Sequence, residues 1–146
     1  DTFSIEPAYE LGYGLSYTLF EYSDLEVRCF NEKIVVELSV KNKGRYPGKE
    51  VVQVYVRALN SKLNRPFQEL KGFNKTRLLM PGDEDRVSIE IPLEYLAIFN
   101  GTKWVVERGK YEIRVGSSSR DIRLKTIIEI PNEICYNVSW KPVVCN

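Results

Sequence analysis

"KIVVELSVKN", residues 33–42, decides how the rest of the chain is read. Ile34, Val36, Leu38 and Val40 fall on one face of an extended chain, and Val35, Glu37, Ser39 and Lys41 on the other. A strict period of two marks a strand with one side in a core. Working outward, "DLEVRCF" (24–30) reads as the strand before it, and "KGRYPGK" (43–49), with Gly44, Pro47 and Gly48, as the loop after it. "EVVQVYVRAL" (50–59) repeats the pattern, setting Val52, Val54 and Val56 against Val51, Gln53, Tyr55 and Arg57. Tyr55 is expected on a second, partly covered face.

"NSKLNRPFQ" (60–68) is a long polar connection, and "ELKGFNKTRLL" (69–79) is extended up to the turn Pro81-Gly82-Asp83. "EDRVSIEI" (84–91) alternates again. Pro92 has no N–H for a sheet ladder, so "PLEYLAIF" (92–99) reads as a helical turn or crossover. Asn100-Gly101 is a tight-turn dipeptide that makes "TKWVVE" the return strand of a hairpin. "YEIRVGSSS" and "IRLKTIIEI" close the series. The expected fold is all-β, an immunoglobulin-like sandwich of about seven or eight strands in two antiparallel sheets.

The 146 residues suit one domain with its own core, and a formal charge of +1 gives no field for steering onto nucleic acid or an anionic membrane. Neither is expected as a partner. "DTFSIEPAYE" at the start has no Met and no leader-like basic and apolar regions, which reads as a chain processed or cut from something longer. Glycosylation patterns at Asn74, Asn100 and Asn137 favour an extracellular setting. Cys29, Cys135 and Cys145 cannot all pair internally, and a Cys135–Cys145 clip and plain buried thiols both stand open.

The chain has no histidine, which removes the commonest general base and the usual nucleophile pairs and metal sites. No cofactor, metal or catalytic residue is expected. Asp24 after Ser23 reads as a polar lead-in to a strand, Asp83-Glu84-Asp85 as a solvated turn, and "GYG" (12–14) lacks the strand and helix of a phosphate loop. Aromatic rings are the other carriers of function, because sugars stack on them. Tyr46, Phe67, Phe99 and Trp140 lie in loops or the tail and are candidate carbohydrate contacts, whereas Trp104, in a strand, is expected in the core.

Five motifs in order carry a resemblance: "GYGLSYTLFEYSDLEV" (12–27), "VKNKGRYPGKEVVQVYV" (40–56), "RPFQELKGF" (65–73), "LLMPGDEDRVSIEI" (78–91) and "GKYEIRVGSSSRDIRL" (109–124). The chain resembles the fibronectin type III-like C-terminal domain of family 3 glycoside hydrolases, the β-glucosidases and β-xylosidases. It departs from them at Glu10-Leu11, where members carry Pro-Phe, and the likeness does not reach the tail 131–146. It implies a docking segment at 1–21, a sandwich at 22–130 and a non-catalytic accessory role beside the catalytic domains of the parent. In that setting Leu11, Gly12, Tyr13, Gly14, Leu15 and Tyr17 contact the catalytic part, and Asn60, Ser61, Lys62, Leu63, Asn64 and Arg65 reach the rim of its active-site cleft. The competing readings are an arm covering the sandwich's own edge for the first segment, and an independent carbohydrate-binding module, with oligosaccharide as partner, for the whole chain.

Overall fold

The computed structural model describes residues 19–137 and 139–145; the docking segment Leu11–Tyr17 lies outside them. Strands β1 (Phe20–Phe30), β2 (Lys33–Asn42) and β5 (Glu84–Pro92) form one sheet in the order β1-β2-β5. Strands β3 (Val51–Ala58), β4 (Glu69–Lys75), β8 (Gly109–Ser118) and β9 (Asp121–Ile130) form the second, in the order β9-β8-β3-β4. Every pairing is antiparallel. Between the sheets lie the residues whose alternation predicted it: Ile34, Val36, Leu38 and Val40 face Val52, Val54, Ile113 and Val115, all fully buried. Gly72 on β4 lets this edge close in, since a Cβ there would stand 2.9 Å from Ile89 Cγ2.

Val35 faces outward yet is also buried. It lies opposite Arg28 and Glu90, and the Arg28–Glu37 and Lys33–Glu90 pairs, each 2.9 Å, flank it. Their aliphatic stems roof it, as long charged side chains do when their heads stay in water.

The first strand starts at Phe20, ahead of the expected Asp24. A bulge between Ser23 and Glu26, with Asp24 at φ 54°, breaks the alternation, so that Phe20, Tyr22, Leu25 and Val27 all point inward. The backbone oxygen of Asp24 accepts from Arg86 Nη1 at 2.8 Å, which fits a structural place for this residue. At the same end Arg123 of β9 donates to the Phe20 carbonyl at 2.6 Å and stacks 4.6 Å from the Tyr22 ring, joining the two sheets. Tyr22 in turn donates to Glu50, and burial raises both groups above their ordinary values.

β1 and β2 meet in a two-residue turn, Asn31 and Glu32, both at positive φ. That conformation suits Asn-Gly better than Asn-Glu. Glu32→Gly is expected to raise stability by about 0.5–1 kcal/mol in urea unfolding, since relief of the left-handed strain outweighs the added chain entropy.

Two sheets were expected, and a third is present. A 3-10 turn, Leu93–Leu96, occupies the segment read as a helical turn and leads into β6 (Ile98–Phe99) and β7 (Trp104–Val106). These pair with β10 (Ile134–Tyr136) and β11 (Pro142–Val143) of the tail in the order β11-β10-β7-β6. The strand directions put this small sheet and the 59–68 loop at one end of the sandwich, and the 43–49 loop, the 80–83 turn and Leu19 at the other.

Candidate functional site

The end that carries the third sheet gathers most of the residues singled out for function. The 59–68 loop is fixed there by one carboxylate. Glu107, just after β7, accepts from Ser61 Oγ at 2.6 Å, from the Lys62 N–H at 3.1 Å and from Arg65 Nη2 at 2.9 Å. Arg65 Nε also donates to Ser61 Oγ at 3.1 Å, and Ser61 Oγ accepts from the Leu63 N–H. Asn60 Oδ1 accepts from the Lys110 N–H at 2.8 Å, and Tyr111 donates its hydroxyl to the Glu107 carbonyl. Burial works to raise the Glu107 carboxyl, but the hydrogen bonds from Ser61, Arg65 and Lys62 and the charge of Arg65 outweigh it, and the group sits below its ordinary value.

Of the six loop residues named from the sequence, Ser61 and Arg65 are therefore anchors, while Lys62 and Asn64 are exposed. Glu107 was not foreseen. It is 42 residues from Arg65 in sequence, and no spacing rule links them. An open groove of about 740 Å³ runs beside the loop, with Lys62, Arg108, Glu129 and Glu133 among its lining residues.

The four aromatic candidates fall in three places. Tyr46 sits at the opposite end, where its carbonyl accepts from Asn42 Nδ2. Phe67 lies over the outer face of the β9-β8-β3-β4 sheet, between Arg57 at 4.0 Å and Arg114 at 5.2 Å, the latter paired in register with the buried Tyr55. Phe99 and Trp140 come together on the third sheet.

Trp104 joins them, and its expected core position is corrected. Phe99, Trp104 and Trp140 are 49%, 43% and 41% exposed. In the β6–β7 hairpin Val105 and Val106 are buried, while Trp104, nearer the tip, is left uncovered. Ring centroids are 5.6 Å apart from Phe99 to Trp104, from Trp104 to Trp140 and from Trp140 to Tyr136, with tilted planes. Burial, followed by the negative charges of Glu94 and Glu32, pushes the Tyr136 hydroxyl up.

Local hydrogen bonds and one covalent bond hold this surface. Asn100 Oδ1 accepts from the Thr102 and Lys103 N–H groups, closing the β6–β7 turn. Asn137 Oδ1 does the same for Ser139 and Lys141 around Trp140. Of the cysteine alternatives the disulfide is present: Cys135 and Cys145 are joined, with a Cα separation of 5.4 Å, and Cys29 is free and exposed. Cys145→Ser is expected to loosen the tail locally by about 2 kcal/mol, on the scale of closing a short loop. Hydrogen exchange should show lost protection at Cys135 and Tyr136, with the main sandwich unchanged. Asn74, Asn100 and Asn137, the three glycosylation candidates, are all exposed.

Comparison with known proteins places this architecture. The family described as "Fibronectin type III-like domain" matches residues 50–119. A "Thermostable beta-glucosidase B" from Acetivibrio thermocellus is 43% identical over 140 residues, 92% of this chain and 18% of that protein. A "Beta-glucosidase" from Kluyveromyces marxianus is 48% identical over 119 residues, 79% of this chain and 14% of that one. The solved structure of beta-glucosidase 3B from Thermotoga neapolitana in complex with alpha-D-glucose superposes with a TM-score of 0.80 at 55% identity, covering 93% of this chain and 19% of that one. The chain thus spans less than a fifth of these relatives. It belongs to the fibronectin type III-like domains, in the form that family 3 β-glucosidases carry.

Proposed function

We propose that this chain is a non-catalytic accessory domain of a family 3 glycoside hydrolase, which packs on the parent's catalytic domains and stabilises them. The observation that carries the reading is the extent of the matches: most of this chain aligns with 14% to 18% of the two β-glucosidases compared above. The parent hydrolyses terminal β-linked sugars by a retaining route, with both carboxylates supplied from outside this chain. Glu107, the most heavily bonded carboxylate near the groove, is committed to the Arg65 loop and is poorly suited to acid or base work.

Docking falls to Leu11, Gly12, Tyr13, Gly14, Leu15 and Tyr17, and the rim of the active-site cleft to the Asn60–Arg65 loop. The Leu19 carbonyl accepts from the Lys43 N–H at 2.7 Å, which sets Leu19 at the end of the sandwich away from that loop. The disulfide and the exposed glycosylation patterns fit an extracellular setting.

The test compares the parent enzyme with and without this domain, beside the isolated chain, on an aryl β-glucoside. The expected result is no turnover by the chain alone and a lower melting temperature and shorter half-life for the parent without it. Turnover by the isolated chain, or an unchanged truncated parent, overturns the proposal.

A further inference from the structure

The third sheet carries one ring-bearing residue from each of its four strands in a single register row. Phe99 of β6 pairs with Trp104 of β7, Trp104 with Tyr136 of β10, and Tyr136 with Pro142 of β11. Trp140, held at φ 58° in the β10–β11 turn, leans on both Trp104 and Tyr136. We propose that the exposed rings Phe99, Trp104 and Trp140 form a binding surface for a linear neutral oligosaccharide, with Trp104 as the central ring.

Three observations point to that ligand class. First, the ring centroids of Phe99, Trp104 and Trp140 follow one another at 5.6 Å, close to the length of one pyranose unit, with planes tilted by 54° and 47°, so a chain that follows them meets one ring per unit as it twists. Second, polar side chains edge the rings on two sides, Asn100, Thr102 and Lys103 in one turn and Asn137, Ser139 and Lys141 in the other, while Pro142 and Val143 of β11 close the row. Aromatic stacking faces edged by amides and hydroxyls suit a polyol, whose C–H faces are apolar and whose rim is hydrogen-bonding. Third, the charges around it are mixed, with Glu32 and Glu94 near Tyr136 and Lys103 and Lys141 in the two turns, which favours a neutral ligand over a polyanion.

The surface is also rigid before any ligand arrives. Both turns are closed by asparagine side chains and the tail is clamped by the Cys135–Cys145 bond, so little order has to be imposed on binding. This inference is independent of whether the domain docks on a catalytic partner.

The chain's two tryptophans are both in this cluster, so its intrinsic indole emission reports on this surface alone. The experiment titrates the 146-residue chain with cellohexaose and xylohexaose to about 10 mM, well above the millimolar affinity of a shallow site, and follows that emission. A saturable change with at least one sugar is expected, weakened about tenfold or more by Trp104→Ala. Phe99→Ala, at an exposed edge, and Trp104→Phe, which keeps a ring, serve if the alanine variant does not fold: the first should weaken binding and the second retain most of it. Flat emission with both sugars overturns the proposal, as does binding that Phe99→Ala and Trp104→Ala leave untouched. A change seen only on adding the parent's catalytic part would instead make the surface a protein-docking face, and would overturn the sugar assignment while supporting the accessory role.

Discussion

Arg65→Ala lowers the unfolding free energy by about 2–4 kcal/mol, because it leaves the Glu107 carboxylate charged and without its ionic partner in a site largely shielded from water. The two side chains are only 10% and 12% exposed, and Arg65 bonds Ser61 as well as Glu107. Removing the whole pair should cost far less. In Arg65→Met with Glu107→Leu the buried charges and their desolvation disappear together, so the double variant should lie within about 1 kcal/mol of the parent chain. Arg65→Lys keeps the charge but loses the fork that reaches both partners, and belongs between the two. Urea unfolding of the three variants at neutral pH separates them.

The same pair sets an acid limit on the loop. Glu107 lies below its ordinary value when folded and returns to it when unfolded. Its contribution is therefore fully present above the ordinary carboxylate range and is lost as pH falls through the lower, folded value. Loss of hydrogen-exchange protection at Lys62 and Leu63 on acidification, absent in the double variant, is the expected signature.

Asn42→Ala is the second large effect, about 2–4 kcal/mol, from one buried side chain that satisfies three backbone groups. Its Nδ2 donates to the Tyr46 and Leu79 carbonyls at 2.8 and 2.9 Å, and its Oδ1 accepts from the Gly44 N–H at 2.8 Å. Its own backbone bonds Asp83 and Gly82 across the turn. Asn42 is fully buried, so alanine strips one partner from each of the three groups, opens a small void and leaves the buried Leu79 carbonyl with the Gly48 N–H alone. Asn42→Asp is a sharper test. It keeps the shape and the acceptor for Gly44 but sets a carboxylate oxygen against two carbonyls, and it should be at least as damaging at neutral pH and partly recover in acid, when the group regains a donor. Thermal melts at two pH values distinguish lost hydrogen bonds from lost volume.

The strands that were readable are those with an unbroken period of two and a core on one side, such as Ile34 to Val40, Val52 to Val56 and Val87 to Ile91. The break at Pro92 and the turn at Asn100-Gly101 were equally plain, since each rests on backbone chemistry that no distant contact overrides. β1 was read short because its bulge shifts the inward set from Tyr22 to Leu25. The strands of the tail, three and two residues long, carry no periodicity at all. Trp104 was misassigned for a related reason: residue type favoured burial, but it stands at the tip end of a short hairpin, where only Val105 and Val106 are covered. The Glu107 anchor was invisible because polar partners far apart in sequence leave no pattern, and Asn42 looked like nothing more than the last residue of a strand.

The arrangement of β1 and β9 also fixes how the domain bears load. They run in the same direction from one end of the sandwich to the other, in different sheets, each paired antiparallel to an inner neighbour. A pull between Phe20 and Ile130 acts along both strands, so their ladders of hydrogen bonds are sheared together instead of being opened one at a time. The domain should therefore behave as a stiff spacer under tension, giving way in a single step at high force.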